Sequence, residues 1–257
     1  MSQSRSGAQS VQRALAVLRA VESADDSVSV TELAQRTGLT VSTTHRLARA
    51  LTEGSLLSQD PRSERYRLGP GLVALGRNAA ERLGYNRALP ALQELSQATG
   101  ESVNLGVRAG NEVHVILDAA SHQPLRFDQA SGTRVPIHTS AMGKCLLAFT
   151  GDISETIEQL GELVAVTDRT ITDPQRLYDE LHLVRQRGWA LNDEERNAGV
   201  RAVGAPVLGQ GGHVLAAVAL QGPTVRVTDD RLPELVRALQ QVTAQIAPML
   251  IGYSDLD

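Results

Sequence analysis

Along residues 10–23, Val11, Leu15, Leu18 and Val21 recur at spacings of three and four, which predicts a helix beginning near Ser10 with one apolar stripe facing a core. Asp25, Asp26 and Ser27 interrupt that pattern. A short helix is expected over residues 30–36, with Leu33 and Ala34 inward and a turn at Gly38. Another starts almost at once. Thr40 suits its N-cap, and Val41, Thr44, Leu47, Ala48 and Leu51 share one face through Glu53, where Gly54 can end the helix in a left-handed conformation. Two helices joined by so short a turn form a helix-turn-helix layout.

After Gly54 the period becomes extended. Leu56 and Leu57 lead into Asp60-Pro61-Arg62-Ser63 and Tyr66-Arg67-Leu68 return, which predicts a hairpin or wing, because proline's fixed φ suits the first corner of a turn. Gly69, Pro70 and Gly71 mark a boundary. Beyond them Leu72, Leu75, Ala79 and Leu83 lie along a short helix whose apolar face needs a neighbour; it is expected to link two domains and to pair between subunits. From Tyr85 onward helices (88–98, 141–149, 156–160, 174–187 and 229–250) interleave with strands (102–108, 113–118, 189–192, 201–208 and 214–220), mostly joined as hairpins. That order predicts an α+β sheet domain.

Composition narrows the class without changing this picture. With 257 residues, 42% hydrophobic and 21% charged, the chain has ordinary globular usage and is sized for two unequal domains. No apolar run approaches the roughly 18 to 20 residues that span a bilayer, and the N-terminus lacks the apolar region and cleavage pattern of a secretion signal, so membrane and secreted classes are set aside. The single cysteine, Cys145, can form no internal disulfide and cannot supply a cysteine-based metal site. Its lone presence fits a reducing cytoplasm, and neither metal nor cofactor is expected. The net charge of -4 hides an asymmetry: residues 1–70 carry nine arginines against seven acids, while residues 71–257 are net -6. A basic excess in the helix-turn-helix segment fits nucleic-acid contact, which depends on where charge clusters.

Several ordered motifs are similar to one family. Ser10-Val11-Gln12-Arg13-Ala14-Leu15, Thr31-Glu32-Leu33-Ala34, Gly38-Leu39, Ser42-Thr43-Thr44-His45-Arg46-Leu47 and Tyr66-Arg67-Leu68-Gly69 resemble the N-terminal signature of IclR-type (isocitrate lyase regulator) transcription factors. His138-Thr139-Ser140-Ala141-Met142-Gly143-Lys144, Asp193-Glu194-Glu195, Gly199-Val200 and Ala205-Pro206-Val207 follow in that family's order. The resemblance implies a winged helix-turn-helix domain (1–70), a linker helix (71–84) and a GAF-like antiparallel-sheet domain (85–257) that binds a small organic effector. It also implies homodimers that pair into dimers of dimers on double-stranded operator DNA.

If residues 41–53 form the recognition helix, a 100° step leaves Ser42, Thr43, His45, Arg46 and Arg49 outside as DNA readers. The two arginines have the fork that meets guanine O6 and N7, and Arg62, Arg65 and Arg67 in the wing complete a positive rim. For the effector, the first-turn amides beside Ser140, Ala141 and Met142 suit a carboxylate, because such N–H groups lack helical partners. By the resemblance, other pocket positions fall on Asn192, Ala202, Ala219 and Gln221. Relatives holding small oxo-acids are expected to carry an acid, a cysteine and serines there. The amide, two alanines and glutamine of this chain therefore imply a larger, partly apolar effector, an aromatic or other small organic acid.

Asp193, Glu194, Glu195 and Arg196 read as a solvated turn, with Glu195 as a candidate for positioning the pocket wall. His114, in an apolar strand, reads as a hydrogen-bonded structural residue. The competing class is a hydrolase or transferase with Cys145 as nucleophile and His138 or His114 as base. Cys145 lies in the apolar stretch Gly143-Lys144-Cys145-Leu146-Leu147-Ala148, which favours burial as a small hydrophobe, and no nucleophile elbow, phosphate loop or His-Glu-x-x-His motif occurs.

Overall fold

The computed structural model describes residues 3–250, so the outermost positions of the 1–70 and 85–257 ranges (1–2 and 251–257) lie outside the described residues. The chain divides into two compact units, Met1–Ala80 and Glu81–Asp257.

In the first unit α1 (Gln3–Glu22), α2 (Val30–Thr37) and α3 (Val41–Glu53) are followed by a hairpin of β1 (Leu57–Gln59) and β2 (Tyr66–Leu68). The local chemistry that places α2 and α3 is explicit. Ser29 and Glu32 form a reciprocal capping box at the start of α2, and Gly38 ends it with φ 66° in the left-handed region that glycine adopts freely. Thr40 caps α3 by accepting from the Thr43 amide. Val17, Val21, Val28, Leu33, Ala48, Leu57 and Tyr66 pack into one small core. Tyr66 exchanges backbone hydrogen bonds with Val28 at 2.8 and 2.9 Å, which anchors the wing to the segment entering α2.

Two expectations for this unit need correction. Helix α1 begins at Gln3, and its inward residues are Val17, Ala20 and Val21, while Val11 and Leu15 are 60% and 48% exposed. A 20-residue helix is about 30 Å long, so α1 outruns the small core and only its C-terminal half is covered. Gly54 has φ −80°, and the left-handed step falls on Ser55 at φ 59°. The Ser55 carbonyl accepts from the Gly71 amide at 2.9 Å, and a Cβ on Gly69 would stand 2.8 Å from the Leu57 carbonyl, so the glycines are needed at 69 and 71, where the chain doubles back. Helix α4 (Pro70–Arg82) then carries the chain out of this unit; Val73 and Leu75 on it are exposed.

The second unit is a six-stranded sheet in the order β5-β4-β3-β8-β7-β6, antiparallel throughout. Its strands are β3 (Ser102–Ala109), β4 (Glu112–Ala119), β5 (Arg134–Pro136), β6 (Ala190–Asp193), β7 (Val200–Leu208) and β8 (Val214–Pro223). The three-residue edge strand β5 was not expected, being too short to show a period. Helices α5 (Tyr85–Thr99) and α9 (Leu232–Ile246) pack against the sheet, and α6 (Ala141–Ala148), α7 (Ile153–Leu160) and α8 (Pro174–Arg187) form a second helical layer. Ala217 and Ala219 belong to the core built by α6, α7 and α8, whereas Val218 and Leu220, of opposite parity on the same strand, are buried outside that core. The expected 229–250 helix is shorter, because its two ends are 3₁₀ turns, Asp229–Arg231 and Ala247–Met249.

Glycines let α6 lie directly on the sheet. A Cβ on Gly204 of β7 would sit 2.7 Å from the Ala141 backbone, and one on Gly143 would overlap the Ile137 carbonyl. The first turn of α6 is thereby pressed against the middle of β7.

Candidate nucleic-acid interface and ligand cavity

The periodicity of α3 resolves for most positions: Thr44 and Ala48 are buried, Leu47 and Leu51 half-buried, and Ser42, His45, Arg46 and Arg49 exposed, but Val41, expected on the apolar face, is exposed because it opens the helix beyond the core. Thr43 is half-buried and takes part in the cap, its hydroxyl accepting from Thr40 Oγ1 at 2.9 Å. Arg49 pairs with Glu53 at 3.0 Å, but both side chains are largely exposed, so the pair holds Arg49 only loosely. In the wing, the Asp60 carboxylate accepts from the Arg62 and Ser63 amides and from Ser63 Oγ. Those hydrogen bonds hold its carboxyl below the usual range and fix the tip that presents Arg62. Arg62 and Arg67 are exposed.

Arg65 behaves differently from the other expected DNA contacts. Its Nε donates to Ser27 Oγ at 3.1 Å, and its Nη2 donates to the Ser27 carbonyl at 2.8 Å and to Glu32 Oε2 at 3.0 Å. Glu32 in turn accepts from the Ser29 amide, which with the arginine holds its carboxyl below the ordinary value. The geometry makes Arg65 a brace between wing and α2 through Nε and Nη2, with the side chain still 37% exposed. Nothing in the sequence pattern separates it from Arg62 or Arg67, since the contact spans 38 residues.

In the second unit, all seven positions expected around an effector line one narrow cavity of about 20 Å³: Ser140, Ala141 and Met142 at the start of α6, and Asn192, Ala202, Ala219 and Gln221 on the sheet. Strand register explains the grouping. Asn192 pairs across to Ala202 and Ala202 to Gln221, forming a row over three strands, with Ala219 two residues along β8. That is room for about one water, so a small organic ligand enters only as the walls part. Phe127, Gln129, Arg196, Asn197 and Val200 complete the lining and were not expected. Phe127 and Gln129 come from an irregular loop with no period to read, Arg196 belongs to the charged segment read as a solvated turn, and Asn197 follows it.

Most amides around the cavity are committed to the protein. Asn192 donates to the Thr139 carbonyl at 2.8 Å and accepts from the Glu195 amide at 2.9 Å. Gln221 donates to Asn104 Oδ1, and Asn104 donates to the Gln129 carbonyl at 2.7 Å. Ser140 Oγ accepts from the Gly143 amide as N-cap, so its O–H and the first-turn N–H groups are what it offers a ligand.

Behind the cavity the solvated-turn reading fails for Glu195. Its carboxylate is buried and meets Lys144 Nζ at 2.6 Å; the same ammonium reaches Glu180 at 3.3 Å and donates to the Leu191 carbonyl. Arg187 also pairs with Glu180 at 3.0 Å. Lys144, the only lysine in the chain and 1% exposed, thus ties α6 to α8 and to the turn after β6. That gives Glu195 a role in positioning the wall.

Cys145 is fully buried, and burial pushes its thiol up to about 12. The groups acting on it are Lys144, the Ala190 backbone, Arg187 and Glu180, with no histidine among them. His138 is hydrogen-bonded at Nε2 to the Val164 carbonyl at 3.1 Å, and His114 is half-exposed, 3.5 Å from Glu112. A protonated thiol without a base is no nucleophile.

A winged helix-turn-helix followed by an antiparallel-sheet domain with an enclosed polar-and-apolar cavity defines a ligand-responsive DNA-binding regulator. Residues 85–248 match the family described as "Bacterial transcriptional regulator IclR C-terminal", and residues 10–61 match the "IclR helix-turn-helix domain". The chain belongs to the IclR family, whose members are transcriptional regulators and not enzymes. It is 32% identical over 244 residues to the HTH-type transcriptional regulator BhcR of Paracoccus denitrificans (strain Pd 1222), covering 94% of this chain and 87% of that protein. It is 34% identical over 247 residues to the glycerol operon regulatory protein of Streptomyces griseus, covering 93% and 95%. A crystal structure of an IclR transcriptional regulator from Alicyclobacillus acidocaldarius superposes with a TM-score of 0.84 at 29% identity, over 94% of this chain and 98% of that one. An IclR homolog from Microbacterium hydrocarbonoxydans, complexed with 4-hydroxybenzoate, shares the fold at 24% identity and a TM-score of 0.81, over 94% and 98%. Among the described residues no helix is long and apolar enough to cross a membrane.

Proposed function

We propose that this regulator reads a pseudo-palindromic operator with Ser42, Thr43, His45, Arg46 and Arg49 of α3 and with Arg62 and Arg67 of the wing, while Arg65 positions the wing. One recognition helix covers too few base pairs for genomic specificity, so the reading requires a homodimer, pairing further into a dimer of dimers, acting in the cytoplasm. Exposed Val11 and Leu15 on α1, and Val73 and Leu75 on α4, support association, since a single chain leaves these apolar side chains in water.

The effector in this reading is a small carboxylate with a partly apolar body, held by the first turn of α6 and by the sheet row Asn192, Ala202 and Gln221, with Ala219 alongside. One observation carries it: the first turn of α6 and these sheet positions converge on a single cavity. Calorimetry with glyoxylate, pyruvate and substituted benzoates is the test. Binding of a benzoate, weakened by Ala219→Leu, which fills the cavity, is the expected result. Tight glyoxylate or pyruvate binding with no benzoate binding would overturn the apolar part of the reading.

A further inference from the structure

Among the described residues Arg196, Arg108 and Arg185 are partly buried arginines of this unit that meet no carboxylate, and of the three only Arg196 lines the cavity. Arg226 meets Glu101 through two hydrogen bonds at 2.8 and 2.7 Å, Arg201 meets Asp229 at 2.7 Å, and Arg187 meets Glu180 at 3.0 Å. Arg196 donates only to a neutral acceptor, Gln129 Oε1, at 2.8 Å, and among the described residues no carboxylate pairs with it. Burial lowers its proton affinity. A desolvated guanidinium left unpaired is costly.

Gln129 points to the same missing group. Because its Oε1 is occupied by Arg196, the orientation of the amide is fixed, and Nε2 is the buried atom without a partner. The residue is only 6% exposed and lines the cavity beside Arg196. A guanidinium without an anion and an N–H donor without an acceptor are therefore adjacent on one wall, and one carboxylate would satisfy both. The first turn of α6 supplies a separate set of donors on the same cavity. The alanines and Val200 leave apolar surface in the lining besides.

We propose that Arg196 and Gln129 form a second anion-recognition pole of this cavity, and that the effector is a dicarboxylate, one carboxylate on the α6 amides and the other on Arg196 and Gln129. The inference rests on the reading of the cavity as the effector site. Arg196 and Gln129 then set specificity: they discriminate against the monocarboxylate of the same skeleton, which leaves the guanidinium and the amide desolvated and unpaired.

The full-length protein is titrated calorimetrically with two matched pairs of probes, succinate against butyrate and terephthalate against benzoate. In at least one pair the dicarboxylate binds tenfold or more tightly, and Arg196→Gln brings that ratio close to one while changing the monocarboxylate affinity less than threefold. Gln129→Leu reduces the ratio by several-fold. Should a variant fail to fold, the wild-type ratio already decides. Equal binding within each pair overturns the second pole and leaves the cavity as a monocarboxylate site. A preference that survives Arg196→Gln unchanged also overturns it. If none of the four probes binds to protein that melts cooperatively, the carboxylate-effector reading of the cavity fails as well.

Discussion

Lys144→Met removes the cation that, among the described residues, pairs with Glu195, while nearly keeping the volume of the side chain. In the parent protein the ammonium is 1% exposed and sits 2.6 Å from Glu195 Oε1, and Glu195 Oε2 is buried with no hydrogen-bond partner. The carboxylate therefore depends on Lys144 for its compensation. Removing one member of a buried pair typically costs about 3–5 kcal/mol, against roughly 0–1 for an exposed pair. At a urea slope of about 1–3 kcal/mol per molar, the midpoint of the effector unit should fall by at least about 1 M. The sequence supplies the probe: Trp189 is the single tryptophan, and the Arg187 guanidinium stacks 4.1 Å from its ring while also pairing with Glu180. Its fluorescence reports the unfolding of this network. Lys144→Met with Glu195→Gln added should recover a large part of the loss, because the uncompensated charge is gone. A loss below about 1 kcal/mol for the single variant, or no recovery in the double, would refute the claim that this pair fastens α6 to the cavity wall.

Other outcomes follow from the same geometry. Cys145, with its thiol raised to about 12, stays protonated at every pH where the protein is handled, so native protein should resist iodoacetamide at pH 8 and react once unfolded; rapid native alkylation would contradict the burial. Arg46→Ala should weaken specific DNA binding by about 1–3 kcal/mol and lower the specific-to-random ratio, whereas Arg62→Ala should weaken all sequences alike and reduce the salt slope by about 1, both read by gel shift at fixed salt. Glu32 has its folded-state carboxyl lowered chiefly by the Ser29 amide, so its stabilising contribution is present above the ordinary value of 4.5 and is lost as pH falls through the folded value. The protection factor of the Ser29 amide, its exchange rate relative to the intrinsic rate at each pH, should fall over that acid window, and Glu32→Gln should remove the dependence. Gly204→Ala places a Cβ 2.7 Å from the Ala141 backbone and should destabilise the effector unit by about 1–3 kcal/mol, measured by the same Trp189 transition.

What the sequence made legible was what local chemistry decides. Gly38 and Thr40 mark the end of α2 and the start of α3 through a left-handed turn and a cap, so most of the inward and outward faces of α3 could be read, Val41 and Thr43 excepted. The seven cavity residues were reachable through ordered motifs, and antiparallel register then brings Asn192, Ala202 and Gln221 into one row. What stayed hidden depends on contacts distant in the chain. Val11 and Leu15 keep helical period yet face solvent, because period reports a stripe and not whether anything covers it. Arg65 and Glu195 look like surface charges until Ser27 and Lys144 are brought beside them. Phe127 and Gln129 lie in a loop without period, and Arg196 reveals itself only through the acid it lacks.

The central claim is that occupancy of the cavity and occupancy of the operator are linked through one protein equilibrium. The direct measurement is the effector's dissociation constant with and without operator DNA from the chain's own upstream region, beside the operator's constant with and without effector. The account predicts that both ratios depart from one by the same factor, within the roughly 5- to 150-fold range common for such coupling, and that Ala219→Leu abolishes the effect. Effector affinity that is identical on free and DNA-bound protein would contradict it.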